Sequence, residues 1–244
     1  MKAMSENKPD LVIHGSVNAS GGTYNKVDVQ GFGKIKGDVE CETLHCAGHL
    51  GIAGNVRGAS AKVEGNSSIS GNAELETIEV YGQLDVDGDL SFTKMRVDGN
   101  TKVRGSLTGE EVKVRGMLKT TGDCEAEVFS AKGAFTVGGL LNAGRIEVYL
   151  HAGCEAKEMG GEYIEVRKGG SSTLNKLLKH IFNNAFILSV DTIEGDDIYL
   201  EYTHAKVVRG KNVEIGPGCE IELVESSEEF RLDPDSQVKQ HVKR

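Results

Sequence analysis

Between Asp85 and Arg104 the chain sets three carboxylates, Asp85, Asp87 and Asp89, near two cations, Lys102 and Arg104. Alternation along extended strands would put such residues on one face. Carboxylates and bases sharing a face can cleave a polysaccharide by general acid–base chemistry. His45 and His49 form a second constellation, because paired imidazoles invite comparison with a zinc site. Five cysteines, Cys41, Cys46, Cys124, Cys154 and Cys219, complete the set of soft ligands and nucleophiles. What any of these can do depends on the element that carries it.

That element repeats. From Val27 to Glu162 the sequence returns every 17 residues, in eight consecutive copies that begin VDVQGFGKIKGDVECET and LHCAGHLGIAGNVRGAS. Position 5 of the register is Gly in seven copies (Gly31 to Gly133), and position 11 is Gly in seven (Gly37 to Gly139). Apolar residues fall mainly at positions 1 and 3, 7 and 9, and 13, with small or apolar residues at 15. Pairs two apart are the mark of a short strand with one buried face. A short fixed period marks a solenoid whose coils touch only their neighbours. The spacing predicts an all-β, right-handed parallel β-helix of triangular section, with about 17 residues per turn. The corner glycines are expected because they adopt φ > 0 without a Cβ clash. A sandwich of hairpins needs strands spaced at roughly 8–12 residues, and these recur too soon.

Register then reassigns the chemistry. Asp85, Lys102 and Lys119 share position 8, Asp87 and Arg104 share position 10, and Glu79, Arg96 and Lys113 share position 2. Such columns are expected to be ladders of opposite charge between coils, each pair contributing about 0.2–1 kcal/mol. β-Helix polysaccharide enzymes wall their clefts with long loops, and this repeat has none. His45 and His49 fall on opposite sides of a corner, with no outward carboxylate or thiolate expected beside them, so no metal site is expected. The four cysteines of the repeat fall at inward positions 15, 3, 13 and 9, where they serve as small core residues in a reducing compartment. No GxSxG, Walker A loop, HExxH or cysteine-rich motif occurs, so no catalytic residue and no cofactor is expected.

The segments around the repeat divide the chain further. Residues 1–10 read as a flexible polar leader, and 11–168 as the main β-helix block, whose first turn (11–26) is one residue short. Residues 169–190 read as a helical insertion. In it Leu174, Leu177, Leu178, Ile181 and Phe182 form one apolar face, with Lys176 and Lys179 on the polar side. That face packs on the rod, or meets a partner or a membrane surface. Residues 191–232 carry further coils, with looser spacing and pairs such as Ala205/Val207 and Ile221/Leu223, and 233–244 read as a polar tail expected to fray. A net charge of −9 and the absence of Trp speak against a nucleic-acid partner. No apolar run approaches the length of a membrane span, and the expected location is the cytoplasm, including the inner face of the cell membrane.

Short coils without loops, preceded by a polar leader, resemble the bactofilins, a family of bacterial polymer-forming cytoskeletal proteins. The segment GDDIYLEYTHAKVVRGKNVEIGPGCEIELVE (195–225) is similar to the C-terminal part of the longer members. The resemblance implies a scaffold that polymerises end to end without nucleotide into non-polar filaments. Its partners would be itself, a paralogue and recruited proteins of cell shape, envelope or motility; membrane association would be at most weak or indirect. Uncapped coil edges pair with other chains, which places the expected polymerisation ends at Leu11, Ile13 and Val17 on one side and Phe230 and Leu232 on the other. Two enzyme readings compete. IGPGCEI (215–221) looks like a unit of a hexapeptide-repeat acyltransferase, whose left-handed coil advances in equal sixes, and the polysaccharide-active β-helix enzyme is the other.

Overall fold

A computed structural model describes residues 8–170 and 186–244. The chain forms two compact units, one ending at Gly109 and the other starting at Glu110. Each is a parallel β-solenoid, and among the described residues there is no helix.

In the first unit the strands are β1 (Leu11–Ile13), β2 (Ser16–Val29), β3 (Phe32–Cys46), β4 (His49–Ala53), β5 (Val56–Val63), β6 (Asn66–Ile69), β7 (Ala73–Val80), β8 (Gln83–Val86), β9 (Leu90–Val97), β10 (Asn100–Val103) and β11 (Leu107–Thr108). Val27 lies beside Leu44, Leu44 beside Ala61, Ala61 beside Ile78 and Ile78 beside Met95, a constant step of 17. The first coil is shorter: Leu11 lies beside Val27, a step of 16. The register recovers between Ser20 and Gly22. At that corner Gly37 has φ +102°, a conformation that disfavours a side chain.

In the middle coils of the first unit the three inward pairs are buried as the spacing predicts. Positions 1 and 3 bury Ile78 and Val80, positions 7 and 9 bury Leu84 and Val86, and positions 13 and 15 bury Leu90 and Phe92. Each such side chain contributes roughly 1.5–3 kcal/mol, and neighbouring coils are also joined by backbone hydrogen bonds. Thr101 occupies inward position 7 with no exposure, and its hydroxyl has no hydrogen-bond partner among the described residues. An unpaired buried hydroxyl is destabilising. Thr101→Val, of the same shape, is therefore expected to raise unfolding free energy by about 1 kcal/mol in a urea titration. A loss would show that the hydroxyl is satisfied.

Apart from Gly37, the corner glycines of the repeat have a different cause from the expected one. Those of position 5 do not have positive φ; they are packed against the glycine one coil below. A Cβ on Gly65, Gly82 or Gly99 would lie 2.0–2.1 Å from that glycine's carbonyl oxygen.

The second unit contains β12 (Glu111–Val114), β13 (Met117–Thr120), β14 (Cys124–Ala131), β15 (Ala134–Leu150), β16 (Cys154–Lys168), β17 (Leu188–Leu200), β18 (Thr203–Ile215), β19 (Glu220–Leu232) and β20 (Gln237–Lys243). Val112, Phe129 and Ile146 stack at steps of 17. The eighth repeat then departs from the expected register. Ile146 lies beside Ile164, a step of 18, and Phe135 beside Cys154, a step of 19 with an irregularity between Val137 and Leu140. Cys154 consequently stands at position 7 rather than 9, though it is still buried.

Leu188 stacks directly on Cys154 and Ile198 on Ile164, so the coil continues across the insertion. The expected insertion is thus shorter at its far side, since residues 188–190 already belong to β17. The expected helix, with Leu174, Lys176, Leu177, Leu178, Lys179, Ile181 and Phe182, lies outside the described residues. Beyond it the coils are tighter than expected, with steps of 15 from Ile198 to Val213, 16 from Ala205 to Ile221 and 17 from Val213 to Phe230. Val208 and Val224, not Val207 and Leu223, enter the core. The polar tail also belongs to the fold: β20 pairs in parallel with β19 from Glu220/Gln237 to Ser226/Lys243.

Candidate functional site: charged faces and coil edges

The carboxylates that first suggested chemistry are occupied by the coil itself. Asp87 forms an ion pair with Arg104 one coil on. Asp85 accepts a hydrogen bond from Gln83 Nε2 at 2.7 Å and lies beside Lys102 in the register. Asp89 Oδ1 accepts the backbone N–H of Ser106 at 2.8 Å. It is one rung of a ladder that sequence reading missed. At position 12, Asp38 Oδ1 accepts the N–H of Asn55 at 2.7 Å, and Asn55 Oδ1 that of Asn72 at 2.9 Å. Asn72 Oδ1 accepts the N–H of Asp89 at 2.9 Å, and Asp123 Oδ1 that of Leu140 at 2.8 Å. Each rung satisfies a corner amide that the sheet leaves unpaired. The same oxygens explain four glycines of position 11, Gly71, Gly88, Gly105 and Gly139: a Cβ on Gly88 would meet Asn72 Oδ1 at 2.1 Å, and one on Gly105 would meet Asp89 Oδ1 at 2.2 Å. A column of Asp and Asn one residue after five of the seven position-11 glycines was the available signal.

The histidines need a correction. Carboxylates do flank His45: its Nδ1 lies 3.1 Å from Asp28 Oδ1 and its Nε2 2.9 Å from Glu64 Oε2. Lys26 and Lys62 in turn hold those carboxylates, at 2.6 and 2.7 Å. The Lys26 ammonium, opposed by burial and helped by His45, keeps the Asp28 carboxyl below its ordinary range. The ring's two nitrogens face apart, toward different coils, so they cannot share one ion with both carboxylates. No group suited to a metal occurs among the described residues. His49 stacks instead on Phe32, with ring centroids 5.5 Å apart.

All five cysteines are buried and free. Burial pushes the thiols of Cys41, Cys154 and Cys219 up to about 11 and that of Cys124 up to about 12, and raises Cys46 as well. The thiolate is the reactive form. A thiol reagent at pH 8 is therefore expected to modify none of them in the folded chain and all of them in denaturant. Rapid labelling of any one in the folded protein would contradict this burial.

On the face carrying position 2, ion pairs run along strands more than between coils. Glu79 lies beside Arg96 in register, yet Arg96 pairs with Asp98 two residues on, at 2.6 Å. Lys113 pairs with Glu111 and Arg145 with Glu147 in the same way. Residues two apart on a strand share a face, so the nearer partner wins. In the second unit Arg145 also lies over Tyr163, and Arg167 over Tyr199, at 4.2 Å. Exposed pairs of this kind contribute little each; they fasten a surface rather than build a reactive centre.

The coil edges are the remaining candidates. β1 pairs with β2 on one side, and among the described residues no strand lies on its other side. Ile13 is buried and Leu11 partly so, but Val17 is 39% exposed although it holds an inward position. Val12 (49%) and Phe32 (66%) extend that apolar surface and were not expected there. In the second unit Phe230 and Leu232 pair with Val213 and Ile215. β20 stops short of them, so the 229–232 edge has no outer strand among the described residues. Phe230 is instead stacked on His241, with ring centroids 4.0 Å apart, and Leu232 is 44% exposed.

No protein-family model matches the chain, and no solved structure matches it. It is 53% identical over 235 residues to the uncharacterized protein YhbE of Bacillus subtilis (strain 168), an alignment covering 96% of this chain and 97% of that protein. The chain belongs to the YhbE family. A second relative of this YhbE-family chain is the uncharacterized protein YhbF of the same organism, 43% identical over 106 residues, covering 43% of this chain and 42% of YhbF.

Proposed function

We propose that this chain is a self-assembling scaffold of the bactofilin kind, polymerising through its coil edges without nucleotide. The observation that carries the reading is the edge of the first coil: among the described residues β1 pairs on one side alone, beside exposed Val12 and Val17. Such an edge is a template for another chain. The occupied carboxylates of the charged face and the coil steps of 15 to 19 residues speak for a scaffold over either enzyme reading, and the chain works without catalysis. Its first partner is another copy of itself, and it works inside the cell, where the polymer recruits other proteins. No helix among the described residues is long and apolar enough to cross a membrane.

Phe230→Lys is expected to abolish filaments seen by negative-stain electron microscopy while leaving the β circular dichroism spectrum unchanged. Filaments that persist in this variant would remove the 229–232 edge from the assembly.

A further inference from the structure

A hollow on the outward face of the second unit takes no part in the assembly reading. One register column there runs Tyr163, Asp197, Asn212 and Glu229, and the column beside it runs Tyr199, Glu214 and Arg231. Asp197 and Asn212 are short, whereas Tyr163 one coil before them and Glu229 one coil after are long. The column therefore dips, leaving a hollow of about 210 Å³ over the buried Ile198 and Val213. Two tyrosine rings form one of its walls. Each ring already carries a cation on one side, Arg145 over Tyr163 and Arg167 over Tyr199, both 4.2 Å from the centroid. Both arginines reach their rings from the preceding coil, so the other ring faces turn toward the hollow. The Tyr199 hydroxyl donates to Glu201 at 2.8 Å, which holds that ring in place.

We propose that this hollow binds an organic ammonium ion. Aromatic faces attract cations, and carboxylates accept the charge-assisted hydrogen bonds that an ammonium group donates. Asp197 gives one oxygen to Asn212 Nδ2 at 2.8 Å and keeps the other, while nearby Lys211 is held by Asp196 at 2.8 Å. Among the described residues Glu214 meets Arg231 at 3.8 Å, too far for a hydrogen bond. That guanidinium turns instead to Glu229, at 2.9 Å. Acidity alone does not select the site. Glu40 and Glu42 of the first unit also share a strand face, but Lys8 already holds them, at 3.3 and 3.8 Å. Only the hollow joins ring faces, carboxylates with acceptor capacity to spare and an apolar floor, the set that suits an ammonium group and the methylenes behind it. A free polyamine and the lysine side chain of a partner both present that group. The site stands whether or not the chain assembles.

Isothermal titration calorimetry of the full chain at fixed ionic strength tests this, with putrescine, N-acetyl-lysine methylamide and butanol as probes. The two amines are expected to bind with Kd on the order of 1 mM, and butanol not at all. Tighter binding of putrescine assigns a free polyamine, and tighter binding of the blocked lysine assigns a partner's side chain; either result supports the site. D197N/E214Q keeps the oxygen that accepts from Asn212 and should weaken amine binding roughly tenfold or more. E40Q/E42Q removes the same number of charges elsewhere and should change nothing. Tyr163→Phe keeps the ring and should bind like the wild-type chain, whereas Tyr163→Leu should bind more weakly. Circular dichroism checks that each variant is folded. Equal losses in D197N/E214Q and E40Q/E42Q would reduce the effect to general charge attraction and overturn the site. Binding of butanol as tight as that of the amines, or no binding of either amine, would overturn it as well.

Discussion

Gly82→Ala is expected to destabilise the first unit by roughly 4 kcal/mol or more, enough to unfold it in dilute urea. Gly82 sits at position 5, where the coils approach so closely that its Cβ would lie 2.0 Å from the carbonyl oxygen of Gly65 and 2.4 Å from that of Glu64. Both obstacles are backbone, held in the ladder by Gly82 N–H to Val63 O and Gln83 N–H to Gly65 O at 3.0 and 2.8 Å. No rotamer change relieves such a clash; the coils must separate and break their hydrogen bonds. Gly51→Ala is the matching control. Its Cβ would meet only Ser68 Oγ at 3.6 Å, an ordinary contact. A glycine inside a strand costs about 0.5–1 kcal/mol relative to alanine, so this variant should gain stability. Equal urea midpoints for the two variants would refute the close-approach explanation.

The second large effect lies in the other unit. Phe129 and Phe135 are almost wholly buried and meet edge to face, with centroids 5.2 Å apart. Phe129 fills position 1 between Val112 and Ile146, its register partners on either side. Phe129→Ala leaves a cavity that stacked backbones cannot close, because hydrogen bonds on both sides fix their spacing. The expected loss is about 3–5 kcal/mol, with Phe129→Leu losing clearly less. A loss below about 1 kcal/mol in a urea titration, the range of tolerated swaps, would mean that the core adapts more freely than its ladder implies.

Much of this fold is legible in the residues because a solenoid is a local structure. Apolar pairs two apart identify the inward positions, and the 17-residue return identifies what stacks on what; even the short first turn from Leu11 was readable. The reason for the corner glycines was not. Positive φ and close approach both select glycine, and only the distance to the coil below separates them. Register failed at the eighth repeat, where two extra residues moved Cys154 by one inward position, because apolar residues fit either alignment. The segment 233–244 looked like a tail because charge dominates its composition, yet β20 needs only a backbone edge to pair with. Side-chain partners were the least legible. Arg96 faces Glu79 in register but takes Asp98, and His45 reaches Glu64 across coils; both choices depend on side-chain reach that a register table does not contain.

For the candidate site, the sequence pointed to the edges but could not weigh them. Leu11, Ile13 and Val17 were found from periodicity alone, whereas Val12 and Phe32 became visible only as exposed apolar groups in the fold. Phe230 was expected to be open, and His241, from the segment read as frayed, covers it.

Assembly is the central claim, and negative-stain electron microscopy of the purified full chain without nucleotide tests it most directly. Filaments are expected at micromolar concentration, built with no nucleotide or metal added. A field of monomers only, matched by a monomer mass in solution, would contradict it.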